Sequence, residues 1–126
     1  MQVAKVVNTT RDTVIGDQVE IADTSSTRGK GLLGRTGLAA GAGLWIKPCS
    51  GVHMFGMKFA IDVIGLDGDR KVIKLWPNLK PWRMSPISLS LRSVIEVPAG
   101  RIAECNVEIG DQLEVILSEA KNLSIR

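Results

Sequence analysis

Tyrosine is absent, histidine occurs once, and cysteine and phenylalanine occur twice each. Each scarcity narrows the classes of function. Cys49 and Cys105 alone do not make the disulfide framework of a small secreted protein, so a cytoplasmic chain with two thiols is expected rather than one bridge. With a single imidazole and no Cys-x-x-Cys pair there is no zinc knuckle, since Cys49, His53 and Cys105 are the only soft or nitrogen ligands. No metal and no cofactor is therefore expected. No apolar run approaches the ~20 residues of a membrane helix. Residues 1–12 alternate polar and apolar without a signal-peptide core, so no membrane partner is expected. The small-residue run Gly37 to Gly43 lacks both the Gly-Lys-Ser/Thr ending of a phosphate loop and a Gly-x-Gly-x-x-Gly frame. It reads as a flexible loop.

Acidic residues are also missing, but only locally. None occurs from Thr24 to Ile61, where Arg28, Lys30, Arg35, Lys47 and Lys58 lie, and none from Arg70 to Ile95, which holds six cations. From Glu96 to Glu119 six acids face Arg101 alone. Such segregation puts a positive field on one side of a small domain, unless the fold interleaves the blocks.

At 126 residues the chain is expected to form one domain, residues 1–117, with a loose tail at 118–126. A domain of this size buries roughly two-thirds of its unfolded surface and needs no staples. Strands are expected at 2–8, 14–23, 44–47, 53–66, 71–76, 89–97 and 112–117. Asp67-Gly68-Asp69-Arg70 between two β-branched runs is the strongest hairpin signal. Thr24, Ser25 or Ser26 caps a short helix carrying Leu32 and Leu33, closed by Gly34 or Gly37. Arg101 to Cys105 has the length of one helical turn. Short strands and frequent turns imply a mostly β (α+β) class: an antiparallel β-sandwich or barrel, jelly-roll-like, with one short helix near residues 25–35.

The unusual residues gather at 48–62, which holds the histidine, both phenylalanines, Cys49 and two methionines. With period two, His53, Phe55, Met57, Phe59, Ile61 and Val63 share one face of a strand; Met54, Gly56, Lys58, Ala60, Asp62 and Ile64 share the other. Gly56 marks a bulge or a close backbone approach.

Three motifs follow in order: Thr24-Ser25-Ser26-Thr27-Arg28-Gly29-Lys30-Gly31-Leu32-Leu33-Gly34-Arg35, then His53 to Asp62, then Glu96-Val97-Pro98-Ala99-Gly100, with Ile109-Gly110-Asp111 behind them. Over residues 24–116 the chain resembles the domain-of-unknown-function family numbered 192. The resemblance implies a small β-rich, jelly-roll-like domain with a short helix, and it supplies no reaction. It points to His53, Met57, Asp62, Glu96, Gly100, Gly110 and Asp111. The chain departs from the family's usual residues at Met54 (threonine), Lys58 (arginine), Ala60 (proline) and Gly65 (a large apolar residue).

A pocket near His53, Asp62 and Glu96 is the expected site, with Met57, Lys58, Asp111, Trp76 and Trp82 as further ligand-binding candidates. No residue is assigned as catalytic. His53 has the chemistry of a general base but no partner that the sequence fixes. A Cys49–His53 nucleophile would require Gly51 to fold the chain back. Glu96, buried between Ile95 and Val97, is expected to pair with Arg28, Arg92 or Arg101. The leading reading is a non-catalytic domain binding a small molecule or a protein partner. A hydrolase acting on a carbohydrate or ester is the first alternative, since sugar chemistry needs two carboxyls that Asp62, Glu96 and Asp111 can offer. Single-stranded nucleic acid on the basic tryptophan loop 70–83 is the second.

Overall fold

The computed structural model describes residues 1–118; the expected tail beyond Ser118 lies outside the described residues. Seven strands and two short helices follow in the order β1 (Val3–Asn8), β2 (Thr13–Ala22), α1 (Ser25–Lys30), β3 (Ala42–Ile46), β4 (Ile61–Leu66), β5 (Val72–Leu79), β6 (Ser93–Pro98), α2 (Arg101–Glu104) and β7 (Leu113–Leu117). All strands join one sheet, in the order β5-β4-β6-β3-β2-β1-β7. Every pairing is antiparallel except β2 with β3. A parallel pair needs a crossover, and α1 with the small-residue loop behind it supplies that path. The two edges meet at one end: the Val72 amide donates to the Asp111 carbonyl (2.8 Å) and the Gly110 amide to the Val72 carbonyl (2.8 Å). The sheet is thus curled into a half-barrel, the barrel alternative within the expected mostly β (α+β) class.

Both faces of this sheet are covered. Inside the curl, Val6, Val19, Ile64, Ile95 and Val97 pack with Ile102 of α2. On the outer face, Leu44, Ile46, Ile61, Val63 and Val94 are covered by Leu32, Met54, Met57 and Leu91 from the connecting segments. A central strand buried on both sides reads as a continuous apolar run, and β4 is buried at every position.

α1 begins where its capping residue is. The Thr24 hydroxyl accepts from the Thr27 amide (3.1 Å), while the Thr27 hydroxyl accepts from the Thr24 amide (3.1 Å), a reciprocal cap with threonine at the third position. The helix ends earlier than expected. Gly31, at φ +51°, turns the chain out after Lys30, so Leu32 and Leu33 lie beyond the helix and Leu32 drops onto the outer face.

The expected strand at 53–66 starts only at Ile61. Gly56 takes φ +81° and the Met57 amide turns back to the Met54 carbonyl. Met54 and Met57 are therefore buried while Phe55 and Lys58 are exposed, a three-residue spacing in place of the alternation. The Met54 amide bonds to the Arg83 carbonyl (2.7 Å) and the Trp82 amide to the Met54 carbonyl (2.9 Å), tying this turn to the 80s segment.

β5 runs through Pro77 to Leu79, further than expected. An edge strand tolerates proline because one row of its amides has no partner strand. The expected strand at 89–97 starts at Ser93, after a turn in which the Leu91 amide bonds to the Ser88 carbonyl. That turn lays Leu91 over β4. A β-carbon on Gly65 would stand 2.5 Å from a Leu91 methyl and 3.0 Å from the Lys74 β-carbon. Leu91 thus fills the room a large side chain at position 65 would need.

Candidate functional site

Glu96 lies mid-strand in β6, opposite Leu44 of β3 and Val63 of β4. Period two sends Ile95 and Val97 inside the curl and Glu96 to the outer face with Val94. There it opens into a cavity of about 110 Å³. α1 and its following turn contribute Arg28, Lys30, Leu32 and Leu33; β3 contributes Ile46; the 51–57 turn contributes Val52, His53, Met54 and Met57.

Glu96 is only 6% exposed, and among the described residues its carboxyl has no hydrogen bond or ion pair. Burial pushes its pKa up to about 7. The expected arginine partner is absent because each candidate serves a backbone carbonyl elsewhere. Arg101 donates to Ile15 (2.8 Å) and Val14 (3.0 Å), Arg92 to Leu89 (2.6 Å), and Arg28 to Thr24 (3.3 Å).

His53 stands exposed at the cavity mouth. Its ring stacks on Phe55 at 5.0 Å, and Phe55 stacks on Trp82 at 6.2 Å. Trp82 is 70% exposed, so the ladder of three rings faces outward. Lys58 is exposed on the same turn, whereas Trp76 is half-buried against the outer core.

The other two acids are elsewhere. Asp62 sits one residue before Val63 and so faces the inside of the curl, in the wall of a separate hollow with Asn78 and Ile102. Its two oxygens accept from the Asn78 amide and the Ile102 amide, each at 2.8 Å, which fixes the bend of β5 and the start of α2. Gly100, at φ +95° before that helix, needs the conformational freedom of glycine. Asp111 lies at the seam of the half-barrel. One of its oxygens accepts from Asn8 Nδ2 (2.8 Å), Arg11 Nε (2.8 Å) and the Glu108 amide (2.9 Å). Burial alone would raise this carboxyl, but those donors outweigh it and hold the pKa below the ordinary value. The expectation that His53, Asp62 and Glu96 line one pocket therefore does not match the geometry. His53, Met57 and Glu96 line a common cavity; Asp62 and Asp111 do not reach it.

Arg28 is the cavity residue that sequence reasoning weighed only as a partner for Glu96. Its signal was its place in the glycine-rich helix, in a stretch without acids. Cys49 does not line this cavity; its thiol donates to the Gly51 carbonyl (3.0 Å), and burial pushes its pKa up, away from a thiolate. Cys105 packs inside the curl, so the sheet separates the two thiols. Among the described residues, no three His, Cys, Asp or Glu side chains gather to hold a metal ion. No described helix is long and apolar enough to cross a membrane.

The model of the family DUF192, described as an uncharacterised ACR, matches residues 6–115, so the match takes in the end of β1 and all of β2 as well as the motifs. A UPF0127 protein of Thermococcus sibiricus is 34% identical over 122 residues, covering 93% of this chain and 78% of its own. A crystal structure of a protein of unknown function from Novosphingobium aromaticivorans aligns with a TM-score of 0.76 at 26% identity, over 89% of this chain and 83% of that one. A chain from Sinorhizobium meliloti aligns with a TM-score of 0.75 at 21% identity, over 90% of this chain and 92% of that one, a likeness of fold alone.

Proposed function

For a chain that belongs to the uncharacterised family DUF192, we propose a function drawn from its own geometry: a non-catalytic domain, residues 1–117, that binds a small molecule in the cavity over Glu96. One observation carries this reading, a largely buried carboxyl that opens into a cavity and, among the described residues, makes no hydrogen bond or ion pair. Burying an unpaired ionised carboxylate costs several kcal/mol, and an isosteric amide or an aliphatic residue would avoid the charge. A fold keeps such a group where a ligand supplies the missing donor. His53 at the mouth and Met57 in the wall shape the entrance. The compartment is read as cytoplasmic, where both thiols stay reduced.

The test is a thermal-shift panel of small amines, polyols, amides and carboxylic acids at pH 7.5. One class raises the melting temperature of the wild type by several degrees, and Glu96→Gln abolishes the rise. His53→Ala weakens the rise while leaving the unliganded melting temperature nearly unchanged, because its ring is exposed. A panel without any shift, or shifts equal in wild type and Glu96→Gln, overturns the reading. Turnover of a carbohydrate or ester ranks lower. A paired-carboxyl mechanism needs a second acid roughly 5 to 10 Å away, and Asp62 and Asp111 are engaged with backbone and side-chain donors elsewhere.

A second reading rests on the ring ladder. His53, Phe55 and Trp82 stack beside exposed Lys58, Lys80 and Arg83, which is the combination a single-stranded nucleic acid uses for bases and phosphates. Oligonucleotide binding measured by fluorescence anisotropy is then expected to fall steeply between 50 and 200 mM salt. It also drops about tenfold or more in Trp82→Ala, the loss of one base stack. No binding at low salt retires this reading.

A further inference from the structure

Arg28 stands in the wall of two hollows. On one side is the cavity over Glu96; on the other is a groove of about 360 Å³ formed by Arg28, Pro48, Cys49, Ser50, Leu91 and Arg92. Ser50 lines the groove and Gly51, the next residue, lines the cavity, so the two spaces share both Arg28 and this turn. The Cys49 thiol, at the junction, feels the charges of both Glu96 and Arg28.

Among the described residues, the groove has no acidic residue in its wall and neither arginine has a carboxylate partner. Arg28 bonds to the Thr24 carbonyl at 3.3 Å and reaches the Pro48 carbonyl and the Ser25 hydroxyl only at 3.5 Å. Arg92 bonds to the Leu89 carbonyl. A guanidinium has five donors, so both retain free ones. Among the described residues, one end of the combined space therefore holds a carboxyl that makes no bond, with the Lys30 side chain in the same wall, and the other holds arginine donors without an anion. A simple anion would satisfy the arginines but leave Glu96 unpaired. A simple cation would satisfy Glu96 but lie against Arg28. A molecule carrying both groups satisfies both ends.

We propose that cavity and groove together form one site for an amphoteric small molecule, with its amine at Glu96 and its oxyanion, a carboxylate or a phosphate, at Arg28 and Arg92. The apolar walls at Leu32, Leu33 and Val52 accept the methylene spacer. This rests on the cavity reading above and adds the ligand's chemistry to it.

Isothermal titration of the full chain tests this with γ-aminobutyrate, 6-aminohexanoate and O-phosphoethanolamine, against butylamine and butyrate, which each lack one end. At least one two-ended probe binds about tenfold or more tightly than either one-ended compound, the difference of one charge-assisted contact. Glu96→Gln and Arg92→Gln each weaken that probe by about tenfold or more, with circular dichroism unchanged. Comparing O-phosphoethanolamine with the amino acids identifies the oxyanion. If butylamine binds as tightly as the two-ended probes and Arg92→Gln has no effect, the inference falls and the cavity reading stands. If no two-ended probe binds, the inference also falls, and the panel of four compound classes decides the cavity reading separately.

Discussion

Between pH 4 and pH 8 the Glu96→Gln protein gains on the wild type by about 3 kcal/mol of unfolding free energy, worth roughly 10 °C in melting temperature for a domain of this size. The sign follows from where the proton sits. In the unfolded chain Glu96 titrates near its ordinary value of 4.5, while burial in the folded protein pushes it up to about 7. Between those two values the folded state holds a proton that the unfolded state has already lost. Raising the pH therefore draws the wild type toward unfolding, and the penalty is complete above about 7. Below the unfolded value it vanishes. Glutamine does not titrate, and the price of burying its amide is the same at every pH, so the difference between the two proteins isolates the carboxyl. Urea denaturation at half-unit steps from pH 4 to 8.5 measures it. A constant gap across that range would mean that Glu96 is solvated or paired in solution, and the argument for a ligand at this position would lose its basis. A bound ligand that donates to the carboxylate pulls the folded pKa back down and restores stability at high pH, which links this measurement to the thermal-shift panel.

Asp111→Ala lowers stability at pH 7 by about 3 kcal/mol, among the largest effects of any single side chain here. Its one oxygen holds Asn8 from β1, Arg11 from the first turn and the Glu108 amide together where the half-barrel closes. Removing it leaves the Asn8 side-chain amide buried without an acceptor and takes the acceptor from the half-buried Glu108 amide. The Arg11 arm, a third exposed, adds little. Here the pH dependence has the opposite sign. The folded pKa lies below the ordinary 3.8, so the stabilisation is present above that value and disappears as the pH falls through the folded one. The gap between wild type and Asp111→Ala narrows below about pH 4, in the range where Glu96 no longer penalises the wild type. Asp111→Asn keeps an acceptor but loses the charge for Arg11, and its loss is the smaller of the two. Equal stability of Asp111→Ala and wild type at pH 7 would show that water replaces these contacts and that the seam is not closed by them.

Local chemistry accounts for much of what could be read from residues alone. Thr24 announced the start of α1, and Asp67-Gly68 announced the β4–β5 hairpin, because a cap or a tight turn needs only the residues within it. The misread segments share one cause. Residues 53–60 alternate like a strand, yet Gly56 and the bonds from Met54 to the 80s segment make them a turn, and no local pattern announces a partner some thirty residues away. The same applies to Glu96, whose arginine partner was expected from composition. Arg28, Arg92 and Arg101 all exist, but Arg28 and Arg92 turn back to the carbonyls of Thr24 and Leu89 in their own segments, and Arg101 reaches β2.

From its residues alone this chain determines a mostly β fold, the caps and turns that punctuate it, and a concentration of unusual side chains at 48–62. Which of those side chains meet was decided only by strand register. Val63 pairs with Glu96, so Asp62, one residue earlier, pairs with Val97 and points through the sheet to its other side. Successive side chains on a strand alternate faces. A one-residue offset between neighbouring strands therefore gives one carboxyl two backbone donors inside the curl and leaves the other alone in the cavity outside it.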